Sequence, residues 1–146
     1  MNIKQISVFL ENKEGRLAHV TGVLSQAGIN ILALSLADTS DFGILRLIVD
    51  RPRAAFAILR EQNIVNTLHE VIAVEVDNQP GGLHRILKAL DGSGVNVEYM
   101  YAFAEPRSQK AALIFRFDDP ARAVKALERG GISVFAQIDV GIQPEA

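Results

Sequence analysis

Cysteine is absent from the 146-residue sequence, which excludes disulfides, thiolate metal sites and thiol catalysis. No charge of one sign dominates: the net charge is −2 and the Lys and Arg residues are scattered, so nothing indicates a nucleic-acid partner. Apolar runs of bilayer length are missing, and residues 1–5 lack the basic-then-apolar pattern of a targeting segment. We therefore expect a soluble, cytoplasmic protein with no membrane partner.

The sequence does contain a long internal repeat. Residues 6–17 align with residues 72–83, and the same shift of 66 positions pairs Gly28 with Gly94. A period of this length indicates one small domain present twice. Because 49% of the residues are hydrophobic, each copy can bury a core. We expect the first copy over residues 1–70 and the second over residues 71–146.

Each copy has the same predicted order of strands and helices. Alternating apolar residues predict an opening strand, and apolar residues at helical spacing follow it. Two more strands come next, then a helix that begins at Pro52 or Pro120, and a closing strand near Val65–Val71 or Val134–Ile142. The order β-α-β-β-α-β predicts a ferredoxin-like sandwich, because right-handed crossovers place both helices on one face of an antiparallel sheet. The predicted class is α+β, with two such sandwiches in tandem and no linker between them.

The turn between the first strand and the first helix is the most specific local feature of each copy. It reads Glu11-Asn-Lys-Glu-Gly-Arg-Leu17 in the first copy and Asp77-Asn-Gln-Pro-Gly-Gly-Leu83 in the second. Its glycine permits a sharp reversal, and the helix start behind it favours a carboxylate or a phosphate. Asp77 or Asn78 can hold a cationic or hydroxyl group, so the turn suits a free amino acid. The same residue types also cap ordinary strand-to-helix turns that bind nothing.

Catalytic patterns are missing from the sequence. There is no nucleophile elbow, phosphate loop or pair of catalytic carboxylates, and the three histidines do not have metal-ligand spacing. RNA-recognition domains share this fold, but they stack bases on aromatic residues of the two central strands within a basic field. Here Phe9 is matched by Glu75 in the other copy, so that aromatic pattern is not preserved. We predict a protein that is not an enzyme and uses neither cofactor nor metal.

The arrangement resembles a tandem ACT domain, the small regulatory module attached to many enzymes of amino-acid metabolism. The resemblance covers residues 6–142 and is carried by the two turns and by the segments Gly28-Ile-Asn-Ile31 and Gly94-Val-Asn-Val97. The first copy departs from the family pattern at Glu14, where proline is usual. The chain is most similar to the stand-alone members with two repeats and no catalytic domain.

The resemblance implies that the paired units bind small effectors, mostly amino acids, at the interface between units. In that family the turn glycine and its neighbours lie against the ligand, and residues after the first helix reach it from the facing unit. With Asp77 added from the turn chemistry above, the predicted ligand-binding residues are Asn12, Gly15, Arg16, Leu17 and Asn30 in the first copy, and Asp77, Asn78, Gly81, Gly82, Leu83 and Asn96 in the second.

Two functions remain open at this point. The first is a non-catalytic regulatory protein that binds an amino-acid effector and acts on a partner enzyme of amino-acid metabolism. The second is an interaction module that docks on a partner enzyme and binds no small ligand. We also expect a homodimer, because the exposed sheet edges and apolar helix faces of small units need cover.

Overall fold

The computed structural model describes residues 2–38, 41–102 and 110–145. These residues form two compact units. The N-terminal unit contains Lys4–His69 together with the described residues from Gly141 onward, and the C-terminal unit contains Asn2, Ile3 and Glu70–Val140. The last residues of the chain therefore belong to the N-terminal unit.

The N-terminal unit is an antiparallel sheet with two helices. Its elements are β1 (Ile3–Glu11), α1 (Arg16–Gln26), β2 (Ile31–Asp38), β3 (Phe42–Val49), α2 (Pro52–Glu61) and the beginning of β4 (Asn66–Asp77). The strand order is β2-β3-β1-β4, with Ile6 opposite Leu47. Just before β4 begins, the Phe9 amide donates to the Val65 carbonyl at 3.0 Å. This is the order that two crossovers sharing one hairpin require.

The core of this unit follows from the alternation in β1. Ile6, Val8 and Leu10 point to one face, where they pack with Val20 and Leu24 of α1. All five side chains are at most 7% exposed. Burying an aliphatic side chain of this size contributes roughly 1.5–3 kcal/mol, so this layer holds the helices against the sheet.

The C-terminal unit repeats the arrangement. It contains the rest of β4, α3 (Gly82–Ala89), β5 (Val97–Ala102), β6 (Lys110–Phe117) and α4 (Pro120–Arg129). Its strand order is β4-β6-β5, both pairs are antiparallel, and Ile72 lies opposite Phe115. Phe115 and Phe117 are buried and stack with ring centroids 5.3 Å apart. The predicted α+β class and tandem ferredoxin-like fold are confirmed.

The closing strands differ from each other. The first runs without interruption into the opening strand of the second copy as β4, which confirms that no linker separates them. The prediction of a full strand over Val134–Ile142 is wrong: Val134 makes a single bridge with Val74, and residues 137–140 form a 3₁₀ turn. The Asp139 carboxylate accepts the Ala136 amide at 2.9 Å and so turns the chain away from the sheet.

The helices begin in two ways. The N-cap of α1 is Gly15 and that of α3 is Gly81, whereas α2 and α4 begin with Pro52 and Pro120 as the sequence predicts.

The four helices are 8 to 11 residues long. Among the described residues, none of them combines the length and the apolar character needed to cross a bilayer.

The C-terminal segment completes the start of α2. The N-cap residue of α2 is Arg51, which has no acceptor to offer the first amides of the helix. The two carboxylate oxygens of Glu145 accept the amides of Arg53 and Ala54 at 2.9 and 3.0 Å. The Gln143 amide also donates to the Asp50 carbonyl at 2.7 Å. Glu145, from the far end of the sequence, thus supplies the capping acceptor that the Arg51 side chain lacks.

We expect Glu145→Ala to lower the free energy of unfolding by about 1–2 kcal/mol, because two amides at the positive end of α2 lose a charged acceptor. Urea denaturation checks this. Gln143→Ala is the control and should have little effect, since the contact of Gln143 is made by its backbone. Equal stability of the wild type and Glu145→Ala would contradict the capping role.

Candidate functional site

The two predicted turns have the same backbone hydrogen bonds. In the first, the Lys13 amide donates to the Glu11 carbonyl at 2.8 Å, and the equivalent bond joins Gln79 to Asp77 at 2.9 Å. Two further amide-to-carbonyl bonds are repeated in the same way. The Arg16 amide donates to Lys13 in the first turn, as the Gly82 amide donates to Gln79 in the second. The His19 amide donates to Gly15, as the Arg85 amide donates to Gly81. The repeat seen in the sequence is therefore a repeat of local structure.

A glycine in the left-handed conformation is the N-cap of α1 and of α3. Gly15 has φ 83° and Gly81 has φ 87°, backbone angles that residues with a Cβ rarely adopt. A Cβ added to either glycine would meet no heavy atom within 4 Å, so the space beside each is open. Since the first amides of a helix have no partner within the helix, the amides of Leu17 and Leu83 make each helix start a candidate anion site.

Gly82 follows the second cap and has a packing role. A Cβ at this position would collide with the carbonyl oxygen of Asp77 and lie 3.1 Å from Cγ2 of Val76. The first copy has Arg16 at the equivalent position. Gly82 therefore allows the start of α3 to approach the end of β4 closely, and its presence alone is no evidence of a ligand.

We expect Gly82→Ala to destabilise the protein by about 1–3 kcal/mol, because the methyl group must displace backbone atoms. Thermal unfolding followed by circular dichroism measures the change. Gly22→Ala is the matched control: it lies within α1 with open space around it, so it should stabilise the protein by about 0.5–1 kcal/mol. A neutral Gly82→Ala would show that the contact is not tight.

An acidic side chain and a cationic one lie at each turn. Glu11 pairs with Lys13 at 3.1 Å in the first turn, and Asp77 pairs with Arg85 at 3.8 Å in the second. The hydrogen bond and charge of Lys13, followed by the charge of Arg16, hold the pKa of Glu11 below its ordinary value. Glu11 is therefore an anion at neutral pH, and it stands beside a cation on the same turn.

The pKa of Glu11 should rise toward its ordinary value in Lys13→Gln, because the neighbouring ammonium is removed. Side-chain carboxyl titration by NMR measures the midpoint. Because its pKa is lowered, Glu11 stays ionised until the pH falls through that pKa. A cationic group paired with Glu11 is released at that pH. Lys125→Gln, in α4, should leave the midpoint of Glu11 unchanged. The same midpoint in wild type and Lys13→Gln would contradict the pairing.

A cavity of about 410 Å³ opens at the first turn, within the N-terminal unit. Its polar lining residues are Glu11, Asn12 and Lys13, and its apolar lining residues come from β1, α1, β2 and β3: Leu10, Leu17, Leu36, Ala37 and Gly43. A volume of this size is in the range of small-molecule sites. A lining that contains both charged and aliphatic groups matches an amphipathic ligand.

The structure brings together only part of the predicted site. Asn12 and Leu17 line the cavity, and Gly15 and Arg16 form the helix start beside it. Asn30 lies at the other end of α1, on a separate cavity of about 420 Å³, and its amide donates to the Asp50 carboxylate at 3.0 Å. In the C-terminal unit, Asp77, Asn78, Gly81, Gly82 and Leu83 form the equivalent turn, and the Asn96 amide donates to Asp118 at 2.9 Å.

The sequence argument missed the apolar wall of the cavity. Gly43 begins the run Gly43, Leu45, Leu47 and Val49, whose members share one face of β3. A glycine at the first position of an otherwise aliphatic face was a usable signal of a close approach, since a Cβ there would lie 3.2 Å from the Ala37 carbonyl oxygen. Leu36 gave no such signal, because its place beside the turn depends on the pairing of β2 with β3.

The fold and the turns define a class of protein: a tandem pair of ferredoxin-like units, each with a glycine-capped start to its first helix, the second unit having a single bridge in place of its closing strand. The sequence profile of the ACT domain pair matches residues 1–140 of this chain. The chain belongs to the ACT domain pair family.

Three comparisons describe its relatives. A crystal structure of a protein from Bacteroides thetaiotaomicron has a TM-score of 0.90 and 37% identity, covering 97% of this chain and 96% of that one. The ligand-free regulatory subunit of aspartate kinase from Thermus thermophilus has a TM-score of 0.61 over 87% and 91% of the two chains; its 18% identity shows the fold alone. The acetolactate synthase small subunit of Haemophilus influenzae is 35% identical over 69 residues, 47% of this chain and 40% of that subunit. The match thus spans less than half of that relative.

Proposed function

We propose that this protein is a non-catalytic regulatory protein that binds a free amino acid at the turn between β1 and α1. The observation that carries the proposal is the cavity of about 410 Å³, whose lining combines Glu11, Asn12 and Lys13 with aliphatic side chains. A free amino acid has this distribution: two opposite charges on adjacent carbons and a side chain that extends away from both.

Each end of the ligand has a group to receive it. The amides at the start of α1 and the Lys13 ammonium receive the carboxylate, since both are positive. The Glu11 carboxylate and the Asn12 side-chain oxygen receive the ammonium. Binding exchanges the 3.1 Å pair between Glu11 and Lys13 for two pairs with the ligand, so neither charge is left alone when the cavity is filled.

The turn of the C-terminal unit is a second candidate. Its groups are Asp77, Asn78, Gly81, Gly82 and Leu83, with Arg85 as the cation in place of Lys13. Arg16, Asn30 and Asn96 stay predicted ligand contacts. Three further expectations also stay predictions: a second ACT unit completes each site, two chains pair, and the protein is cytoplasmic.

Regulation requires that the ligand bind two states of the protein with different affinity. The printed names of two relatives describe subunits rather than whole enzymes: the small subunit of acetolactate synthase and the regulatory subunit of aspartate kinase. By this analogy we propose that the partner is an enzyme of amino-acid metabolism, and that the bound amino acid changes how this protein acts on it.

The alternative, a docking module without a ligand, is favoured by a different surface. Phe9 and Phe42 are 61% and 50% exposed, and their rings meet edge-to-face with centroids 6.4 Å apart. Large exposed aromatic groups are a feature of protein contact surfaces. Both lie on the sheet face opposite Leu10, and Phe42 is the register partner of Glu11.

Isothermal titration calorimetry with the twenty amino acids tests the proposal. We expect at least one to bind, and Lys13→Gln to weaken that binding about tenfold, because a charge-assisted hydrogen bond to the carboxylate is lost. Lys125→Gln removes the same charge from α4 and should not change the affinity. If no amino acid binds, the regulatory proposal fails and the docking module is preferred.

A further inference from the structure

The N-terminal sheet carries a patch of apolar residues on the face away from α1 and α2. A row of them crosses the strands: Phe9 on β1 lies opposite Ile44 on β3, and Ile44 lies opposite Ala37 on β2. On the other side of β1, the Val65 carbonyl accepts the Phe9 amide at 3.0 Å. Phe42 extends the row, because its ring meets that of Phe9. We call these five residues the aromatic patch.

The equivalent face of the C-terminal unit is polar. Strand register and backbone hydrogen bonds identify the equivalent positions in the two sheets. The counterparts of Phe9, Phe42 and Val65 are Glu75, Lys110 and Ser133. Since the same kind of sheet forms without them in the C-terminal unit, the aromatic side chains are not needed for the fold. Their exposed surface is available for a contact.

From this difference we infer that the aromatic patch is the centre of a dimer contact, in which it covers the same patch of a second copy of this chain. The patch contains no charged side chain, so it is complementary to itself, as a two-fold contact requires. A contact between the patch and the polar face of a C-terminal unit would set the rings against Glu75 and Lys110, and removing those charges from water is costly. Such a head-to-tail contact would also leave one patch of the pair uncovered.

The size of the aromatic patch also fits this contact. Phe9 and Phe42, 61% and 50% exposed, together present roughly 170–280 Å² of surface, and Val65, 68% exposed, adds to it. A stable dimer buries about 800 Å² on each partner, with aromatic residues enriched at its centre. The patch therefore supplies the aromatic centre of such an interface, and the residues around it form the rim. A dimer of this kind covers the surface that the docking module would use, so the two compete.

Sedimentation velocity on the full chain, over a concentration range of about a hundredfold, tests the inference. We expect a dimer, and we expect Phe9→Glu and Phe42→Lys each to raise its dissociation constant at least about tenfold. Because the C-terminal unit has Glu75 and Lys110 at the equivalent positions, both side chains are compatible with this kind of sheet, and circular dichroism checks that the variants fold. A wild-type chain that is monomeric throughout the range would overturn the inference.

Two control variants locate the contact. Ile138, in the C-terminal unit, is 75% exposed, and Ile138→Lys should leave the dissociation constant unchanged. Leu34 is 49% exposed on the edge strand β2 and lies opposite the core residue Leu47, hence on the other face of the sheet. Leu34→Gln should likewise leave the dimer intact. A dimer that only these control variants dissociate would show that the chains pair elsewhere and would overturn the inference.

Val65→Ser keeps the test informative if neither aromatic variant folds. It replaces an exposed apolar side chain at the edge of the aromatic patch by the type of residue found at its C-terminal counterpart, Ser133. We expect it to weaken the dimer several-fold, because less apolar surface is removed from water on association. An unchanged dissociation constant in Val65→Ser and in every folded aromatic variant would refute the assignment of the contact to this patch.

Discussion

The reversal at Gly15 and Gly81 is the constraint on which both candidate sites depend. A left-handed glycine lets the strand end and the helix begin within a few residues, so each helix starts close in sequence to the end of its strand. Three repeated backbone hydrogen bonds hold each turn in this shape. The side chains around the turn can then vary without changing the shape of the turn, because that shape is set by backbone hydrogen bonds.

The side chains around the turn differ between the two copies. The acid at the end of the strand is kept as Glu11 and Asp77, but its cation comes from the turn in one copy and from α3 in the other. After the cap, Arg16 faces outward in one copy, whereas Gly82 packs tightly in the other. The two turns therefore share a backbone shape but differ in the charges and the packing around it.

Stability of the N-terminal unit depends on residues far away in the sequence. Arg51 cannot cap α2, and Glu145 does so from the other end of the chain. In the C-terminal unit the corresponding helix is capped locally, by Asp119 accepting the Arg122 amide at 3.1 Å. The repeat is therefore incomplete at this point, and the first unit requires the last residues of the chain for its full set of hydrogen bonds.

The sequence alone determined the duplication, the order of elements and the glycine turns, because periodicity and turn chemistry depend on residues within a few positions of one another. It indicated Asn12 and Leu17 for the same reason. Tertiary structure alone decided that Leu36 and Gly43 line the same cavity as Leu17, and that Asn30 lines a different one. Those outcomes depend on strand register and on long-range hydrogen bonds, which no local pattern specifies.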